Sequence, residues 1–176
     1  MIKAIIFDNV GVFTKKGLGK ALDIISAKYN IDRQELETVY KPLLSRASAG
    51  ETTAINVWEQ VIKHFNITAD PKEMLDVIID CYGSEKNEEM FEYAKELSKR
   101  FDIAMLTNFS DSFDELNKKL GLESVFSPDK IFVSSKIKLR KPDREAFEYV
   151  LNKLGYKAEE SLLSIFPETL PLNHSH

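Results

Sequence analysis

The stretch Ile5–Phe13, IIFDNVGVF, decides how this chain is read. An apolar run ends at Asp8, and small and apolar residues follow it. Asp8 is therefore either a nucleophile held at the tip of a strand or an ordinary turn residue that closes one. The run that leads into it, Ala4–Phe7, is short and unbroken, as a strand buried on both faces of a parallel sheet must be. Three further runs of this kind follow: IAML at 103–106, IFV at 131–133 and SLLSIF at 161–166. Helical patterns separate the later runs and close on glycine, SFDELNKKLG at Gly121 and AFEYVLNKLG at Gly155. Each glycine fits the position just past a helix C-terminus. Strands alternating with helices predict an α/β fold built on a parallel sheet.

The segment between the first two runs contains nothing strand-like. Leu18, Leu22, Ile25 and Tyr29 fall at helical spacing, and Asp32 with Glu35 resembles a capping box that opens a second helix. Pro42 is expected to interrupt that helix, because proline lacks the N–H that the helical ladder needs. Thr53–Phe65 predicts a third helix; Asp70, Pro71 and Glu73 start a fourth that ends near Gly83. Residues 15–85 are thus expected to form a helical bundle inserted after the first strand, and residues 1–14 with 86–176 the α/β core. Asn87–Lys99 returns the chain to the sheet. Such a bundle would sit above the carboxyl ends of the strands, where open α/β sheets bind ligands, and act as a lid.

The chain has 176 residues, 43% of them apolar, enough for one compact core and an inserted subdomain. Its 24 basic and 28 acidic residues are interspersed and give a net charge of −4. No concentrated basic field exists to hold a nucleic acid backbone, so none is expected as a partner. Nothing approaches the ~18 apolar residues that span a bilayer, so no membrane partner is expected either. Met1 leads directly into a strand without a leader pattern, and the expected location is cytoplasmic. The single cysteine, Cys81 in VIIDCYG, reads as a small buried hydrophobe.

Three strand ends carry the chemistry. Asp8 follows the first strand, Thr107 and Asn108 follow the second in AMLTNFS, and Lys141 follows the third in KLRKPD. Singly, each has an ordinary explanation: a turn cap, caps for a helix beginning near Asp111, a solvated surface charge. Together they supply what a carboxylate nucleophile needs. A hydroxyl and helix-end amides bind the electrophile's oxygens, and a cation holds negative charge near the reacting centre.

With FDNVGVFT, LTN and SSKIKLRKP leading into RKPD, all in order, the sequence resembles the haloacid dehalogenase-like hydrolase superfamily with a helical cap of the first type. Within it the chain is most similar to sugar-phosphate phosphatases and dehalogenase-type proteins, from Ile2 to about Leu163. The resemblance implies a Rossmann-like core and hydrolysis of a small phosphate ester, or alternatively a 2-haloacid, through a covalent aspartyl intermediate. Asp8 would be the nucleophile, Lys141 would stabilise the charged intermediate, and Thr107 with Asn108 would bind the substrate's oxygens. Asp8 and the main-chain carbonyl of Val10 would contribute to a Mg²⁺ site, and the ligand would be a small phosphorylated metabolite.

The chain departs from the family pattern in two places. Val10 stands where family phosphatases usually carry a second aspartate that acts as general acid. After the fourth run, Phe166 and Pro167 stand where metal-holding acids are expected, and Glu168 is the only carboxylate close by. The tail PETLPLNHSH has no periodicity, and His174 and His176 read as solvated. An ending altered or shortened after the third motif is the expectation, with weak or lost activity. The competing function is a non-catalytic relative that binds a phosphorylated metabolite or a protein. A receiver-type signalling domain also uses Asp, Thr and Lys, but its acceptor does not follow the first strand and it has no such helical insertion.

Overall fold

The computed structural model describes residues 1–15 and 17–164. Its centre is a parallel sheet of β1 (Ala4–Phe7), β2 (Asp102–Thr107), β3 (Ile131–Val133) and β4 (Ser161–Ser164), in the order β3-β2-β1-β4. Ala4 lies opposite Asp102 on one side and Ser161 on the other; Phe7 lies opposite Met105 and Ser164. Along β1, Ile5 and Phe7 join one apolar cluster and Ile6 the other. β2 divides in the same way, Ile103 and Met105 against Ala104 and Leu106. Successive side chains of a strand point to opposite faces, and here both faces are covered, so the strands read as unbroken apolar runs.

Helices supply the covering layers. On one face lie α5 (Glu88–Ser98), through Met90, Phe91 and Ala94, and α6 (Phe113–Leu120), through Phe113, Leu116 and Leu120. On the other lies α8 (Arg144–Leu154), through Ala146, Val150 and Leu151. The sequence order places the short α7 (Ser134–Ile137) between β3 and α8, and the Lys141–Pro142 peptide bond is cis. Gly121 and Gly155 end α6 and α8 where their pattern predicts.

Four helices occupy the insertion: α1 (Leu18–Tyr29), α2 (Arg33–Ser48), α3 (Ala54–Phe65) and α4 (Pro71–Gly83). Side chains cap the starts of three of them, the caps at Asp32 and Asp70 as the sequence predicts. Asp32 accepts the Glu35 N–H at 2.8 Å, Thr53 the Asn56 N–H at 3.1 Å, and Asp70 the Lys72 N–H at 2.9 Å. α1 packs on α2 and α4, and α3 packs on the same two. Their apolar faces are continuous with the β1, α5 and α6 side of the sheet in one buried cluster.

One expectation fails. Pro42 does not interrupt α2, which runs through it to Ser48. An interior proline costs ~3 kcal/mol in a helix. Leu36 and Tyr40 before it, and Ala47 and Ser48 after it, are buried, and that packing carries the helix across.

The chain enters and leaves the insertion along adjacent paths. Lys15 donates its N–H to the Glu85 carbonyl at 3.0 Å, and Asn87 donates to the Phe13 carbonyl at 2.9 Å. Thr14 donates its hydroxyl to the Tyr82 carbonyl. Gly17 passes so close to α4 that a Cβ there would lie 2.7 Å from the Tyr82 nitrogen, so only glycine fits. The expected continuation of the last strand through Ile165 and Phe166, with Glu168 and the two terminal histidines, lies outside the described residues.

Candidate active site

β1 ends in a tight turn. The Asn9 carbonyl accepts N–H groups from Val12 at 3.1 Å and Phe13 at 2.9 Å, and Gly11 takes φ +88°, which a side chain would strain. Val12 and Phe13 are buried, and the Phe13 ring meets Phe7, Phe91 and Phe126 edge-to-face at 5.6, 5.2 and 5.2 Å. This apolar anchoring explains why small and apolar residues follow Asp8. It leaves the Asp8 carboxylate at the carboxyl end of the central strand.

There Asp8 meets Lys141. The Lys141 ammonium lies 2.7 Å from Asp8 Oδ2, the two side chains being 12% and 21% exposed, and Asp8 Oδ1 accepts the Asn9 N–H at 2.7 Å. Asn108 fixes the segment that carries the lysine: its Nδ2 donates to the Lys141 carbonyl at 2.8 Å and its Oδ1 accepts the Lys141 N–H at 2.9 Å. Both functional groups of the Asn108 side chain are thus committed to main chain. Thr107 is buried at the end of β2, two residues beyond the one paired with Phe7, and its hydroxyl has no hydrogen-bond partner among the described residues. The side-chain amide of Asn9, wholly buried, is likewise unpartnered on both atoms. Buried polar groups are rarely left unpaired, so each of these calls for a partner such as a water, an ion or a ligand, as do Trp58 Nε1, Asn117 Oδ1 and Ser135 Oγ.

A cavity of about 310 Å³ reaches Asn108 and the sequence neighbours Val10 and Arg140. Val10, Asn108 and Arg140 line it from the sheet, and Tyr40, Leu44, Val57, Leu75, Ile78 and Tyr82 from the bundle. Burial pushes the Tyr82 hydroxyl up to about 12 and raises Tyr40 as well, the nearby Tyr82 adding to the effect there. Polar contacts tie the walls together. Arg140 donates to Ser45 Oγ at 2.9 Å, and Ser134 Oγ donates to the Ser48 carbonyl at 2.6 Å while accepting the Phe109 N–H at 3.1 Å. The Asp111 carboxylate accepts the Ala54 N–H at 2.7 Å, at the start of α3, and α6 begins only at Phe113.

No family model and no curated protein sequence matches the chain. Solved structures match at low identity. A HAD family enzyme from Bacteroides thetaiotaomicron, crystallised with magnesium and inorganic phosphate, is 17% identical at a TM-score of 0.72, over 93% of this chain and 84% of that one. A predicted HAD-like family hydrolase from Porphyromonas gingivalis is 20% identical at 0.75, over 93% and 81%. A dehalogenase is 15% identical at 0.64, over 92% and 75%. The fold is that of the haloacid dehalogenase-like hydrolases.

Within this HAD-like fold the Mg²⁺ expectation can be tested on the donors present. Asp8 supplies one carboxylate, already engaged by Lys141, and Val10 has only its main-chain carbonyl to offer. No group of three His, Cys, Asp or Glu side chains comes together among the described residues. Mg²⁺ demands near-octahedral oxygen coordination, usually from one or two carboxylates with phosphate oxygens and waters. The described residues do not make a resident magnesium site.

Sequence reading overlooked four residues at this candidate site: Asn9, Tyr40, Tyr82 and Arg140. Asn9 carried a signal, a polar residue among apolar ones in IIFDNVGVF. The tyrosines sit on helix faces whose spacing fits any buried aromatic, and Arg140 sits beside a lysine that already accounted for the positive charge.

Proposed function

We propose that this chain is a hydrolase that cleaves a small phosphate monoester through Asp8. The observation that carries the reading is the Asp8–Lys141 pair at the carboxyl end of β1, with the unpartnered Thr107 hydroxyl at the carboxyl end of the adjacent strand. The Asp8 carboxylate attacks phosphorus and the ester P–O bond breaks, its electron pair leaving with the alcohol oxygen. Water then attacks the aspartyl phosphate, releases inorganic phosphate and restores Asp8. Lys141 offsets the charge that builds on the transferred group, and the Thr107 hydroxyl donates to one of its oxygens. Helices α1–α4 act as a cap that excludes water from the pair. The neighbour crystallised with magnesium and inorganic phosphate supports phosphate as the anion.

A second reading is a dehalogenase-type hydrolase, in which Asp8 displaces halide from a 2-haloacid. The donor set favours it, because no group of three His, Cys, Asp or Glu side chains comes together among the described residues and a carbon–halogen bond needs neither a metal nor a proton donor. An activity screen over phosphate esters and 2-haloacids, with and without added magnesium and with Asp8→Asn as control, separates the two. Phosphate release that vanishes in Asp8→Asn carries the first reading; halide release alone carries the second. Activity that survives Asp8→Asn would sink both.

A further inference from the structure

The cavity of about 310 Å³, which Asn108 and Arg140 line close to the Asp8–Lys141 pair, lies at the lower end of the ~300–1,000 Å³ typical of small-ligand pockets. Its bundle wall presents Leu44, Val57, Leu75 and Ile78, and the polar side chains beside them are already paired, Lys41 with Glu37, Ser45 with Arg140 and Ser48 with the Ser45 carbonyl. Tyr40 and Tyr82 line the same space. On the sheet side Val10 lines it too, the residue next but one to Asp8.

We propose that this cavity receives the alcohol half of the substrate and selects a compact apolar ring, so that aryl and arylalkyl phosphates are favoured over sugar phosphates. The inference rests on the phosphate-ester reading above and names its substrate class. Two independent observations carry it. The first is the wall. A sugar presents a hydroxyl on nearly every carbon, and most would lose water against Leu44, Val57, Leu75 and Ile78 with nothing to replace it. A ring with one or two oxygens loses little, and the two phenol hydroxyls supply partners for about that number.

The second observation is Val10. It offers no proton to the oxygen that departs, so esters whose alcohol leaves as a stable anion react best. When an aryl phosphate reacts, the P–O(aryl) bond breaks, the aryloxide carries away the electron pair, and it takes its proton from water. An apolar wall and an absent acid thus select the same class of alcohol, by different physics.

Trp58 provides a readout that does not depend on turnover. It is the only tryptophan, is wholly buried, and stacks on Tyr40 at a centroid distance of 4.6 Å. The experiment compares kcat/KM for phenyl phosphate, benzyl phosphate and glucose 6-phosphate, and titrates the protein with benzyl alcohol while following Trp58 fluorescence. Benzyl and glucose 6-phosphates are both primary alkyl esters, so their ratio reports the wall, whereas the phenyl-to-benzyl ratio reports the missing acid. Benzyl phosphate should exceed glucose 6-phosphate by at least roughly tenfold, phenyl should exceed benzyl, and benzyl alcohol should shift the fluorescence saturably. Leu44→Gln, which polarises the wall at a half-buried helical position, should narrow the benzyl-to-glucose ratio while thermal melts stay cooperative.

Glucose 6-phosphate cleaved as well as benzyl phosphate overturns the inference and leaves the phosphate-ester reading intact. Saturable benzyl alcohol binding without cleavage of any phosphate ester keeps the apolar ring site and sinks that reading instead. If benzyl alcohol leaves Trp58 unchanged and no ring preference exists, the cavity assignment is wrong.

Discussion

Asn108 and Lys141 exchange two hydrogen bonds, the side-chain amide of one closing on the main-chain N–H and C=O of the other at 2.9 and 2.8 Å. This contact joins the end of β2 to the segment after α7 and sets where the Lys141 ammonium stands relative to Asp8. Asn108 therefore acts as a positioning residue.

Asn108→Ala should lower kcat by about 10²-fold with KM changed far less, the loss typical of a displacement near 1 Å. The two lost hydrogen bonds should cost about 1–3 kcal/mol of stability in urea melts. Asn108→Asp keeps the acceptor for the Lys141 N–H and should recover part of kcat. Equal kcat in the wild type and Asn108→Ala would mean that the lysine is held by other contacts.

At position 10, Val10→Asp should raise phosphatase activity at least tenfold on alkyl esters and less on aryl esters, because general acid assistance is worth ~10²–10⁴ where the leaving oxygen needs a proton. It also adds a second carboxylate beside Asp8, so magnesium should raise the melting temperature of the variant more than that of the wild type. A uniform gain across both ester classes would argue against protonation as the limiting step.

Gly17→Ala would place a methyl group 2.7 Å from the Tyr82 nitrogen and 2.8 Å from the Cys81 carbonyl carbon. Both are backbone atoms, which cannot swing aside. The start of α1 must then move off α4, at a cost of about 1–3 kcal/mol. Equilibrium urea unfolding measures it, and an unchanged midpoint would mean that the two helices do not pack as closely as described.

Cys81 is 4% exposed on α4, and desolvation pushes its thiol above the ordinary cysteine range. The thiolate is the reacting form, so at pH 8 a smaller fraction of Cys81 is reactive than in an unfolded chain. Alkylation of native protein at pH 8 should be at least tenfold slower than in denaturant, and should gain speed as pH rises. Equal rates in both states would place the thiol at the surface.

The sheet was legible because burial on both faces leaves its strands as unbroken apolar runs, and the caps at Asp32 and Asp70 because a side chain that caps a helix lies within three residues of the N–H it serves. Asp8 and Lys141 were legible as strand-end residues whose chemistry is complementary. What stayed hidden depends on distance along the chain. Arg140 meets Ser45 across 95 residues, and Ser134 meets Ser48 across 86. No local pattern encodes such pairs. The cavity is hidden for the same reason, since Tyr40 and Tyr82 come from different helices and their spacing alone marks them as core.

Pro42 is the residue where local rule and fold conflict most openly, and it yields a test of what holds the bundle in place. It is exposed in the middle of α2, so truncating its ring removes little packing. Pro42→Ala returns an N–H that can bond the Thr38 carbonyl and removes the ring's crowding, terms that together approach ~3 kcal/mol in an unconstrained helix. Against this, alanine frees the unfolded chain by about 0.4–1 kcal/mol. The net expectation is a gain of about 2 kcal/mol in urea unfolding, with m unchanged. The C-terminal half of α2 carries Ser45 and Ser48, which bond Arg140 and Ser134, so any shift of the helix that the ring's removal allows also moves these contacts. Stability and activity should therefore separate, the first rising while kcat/KM falls severalfold. If stability falls instead, the backbone of α2 around Pro42 is already adapted to the ring, and the proline supports the packing of α2 in the bundle.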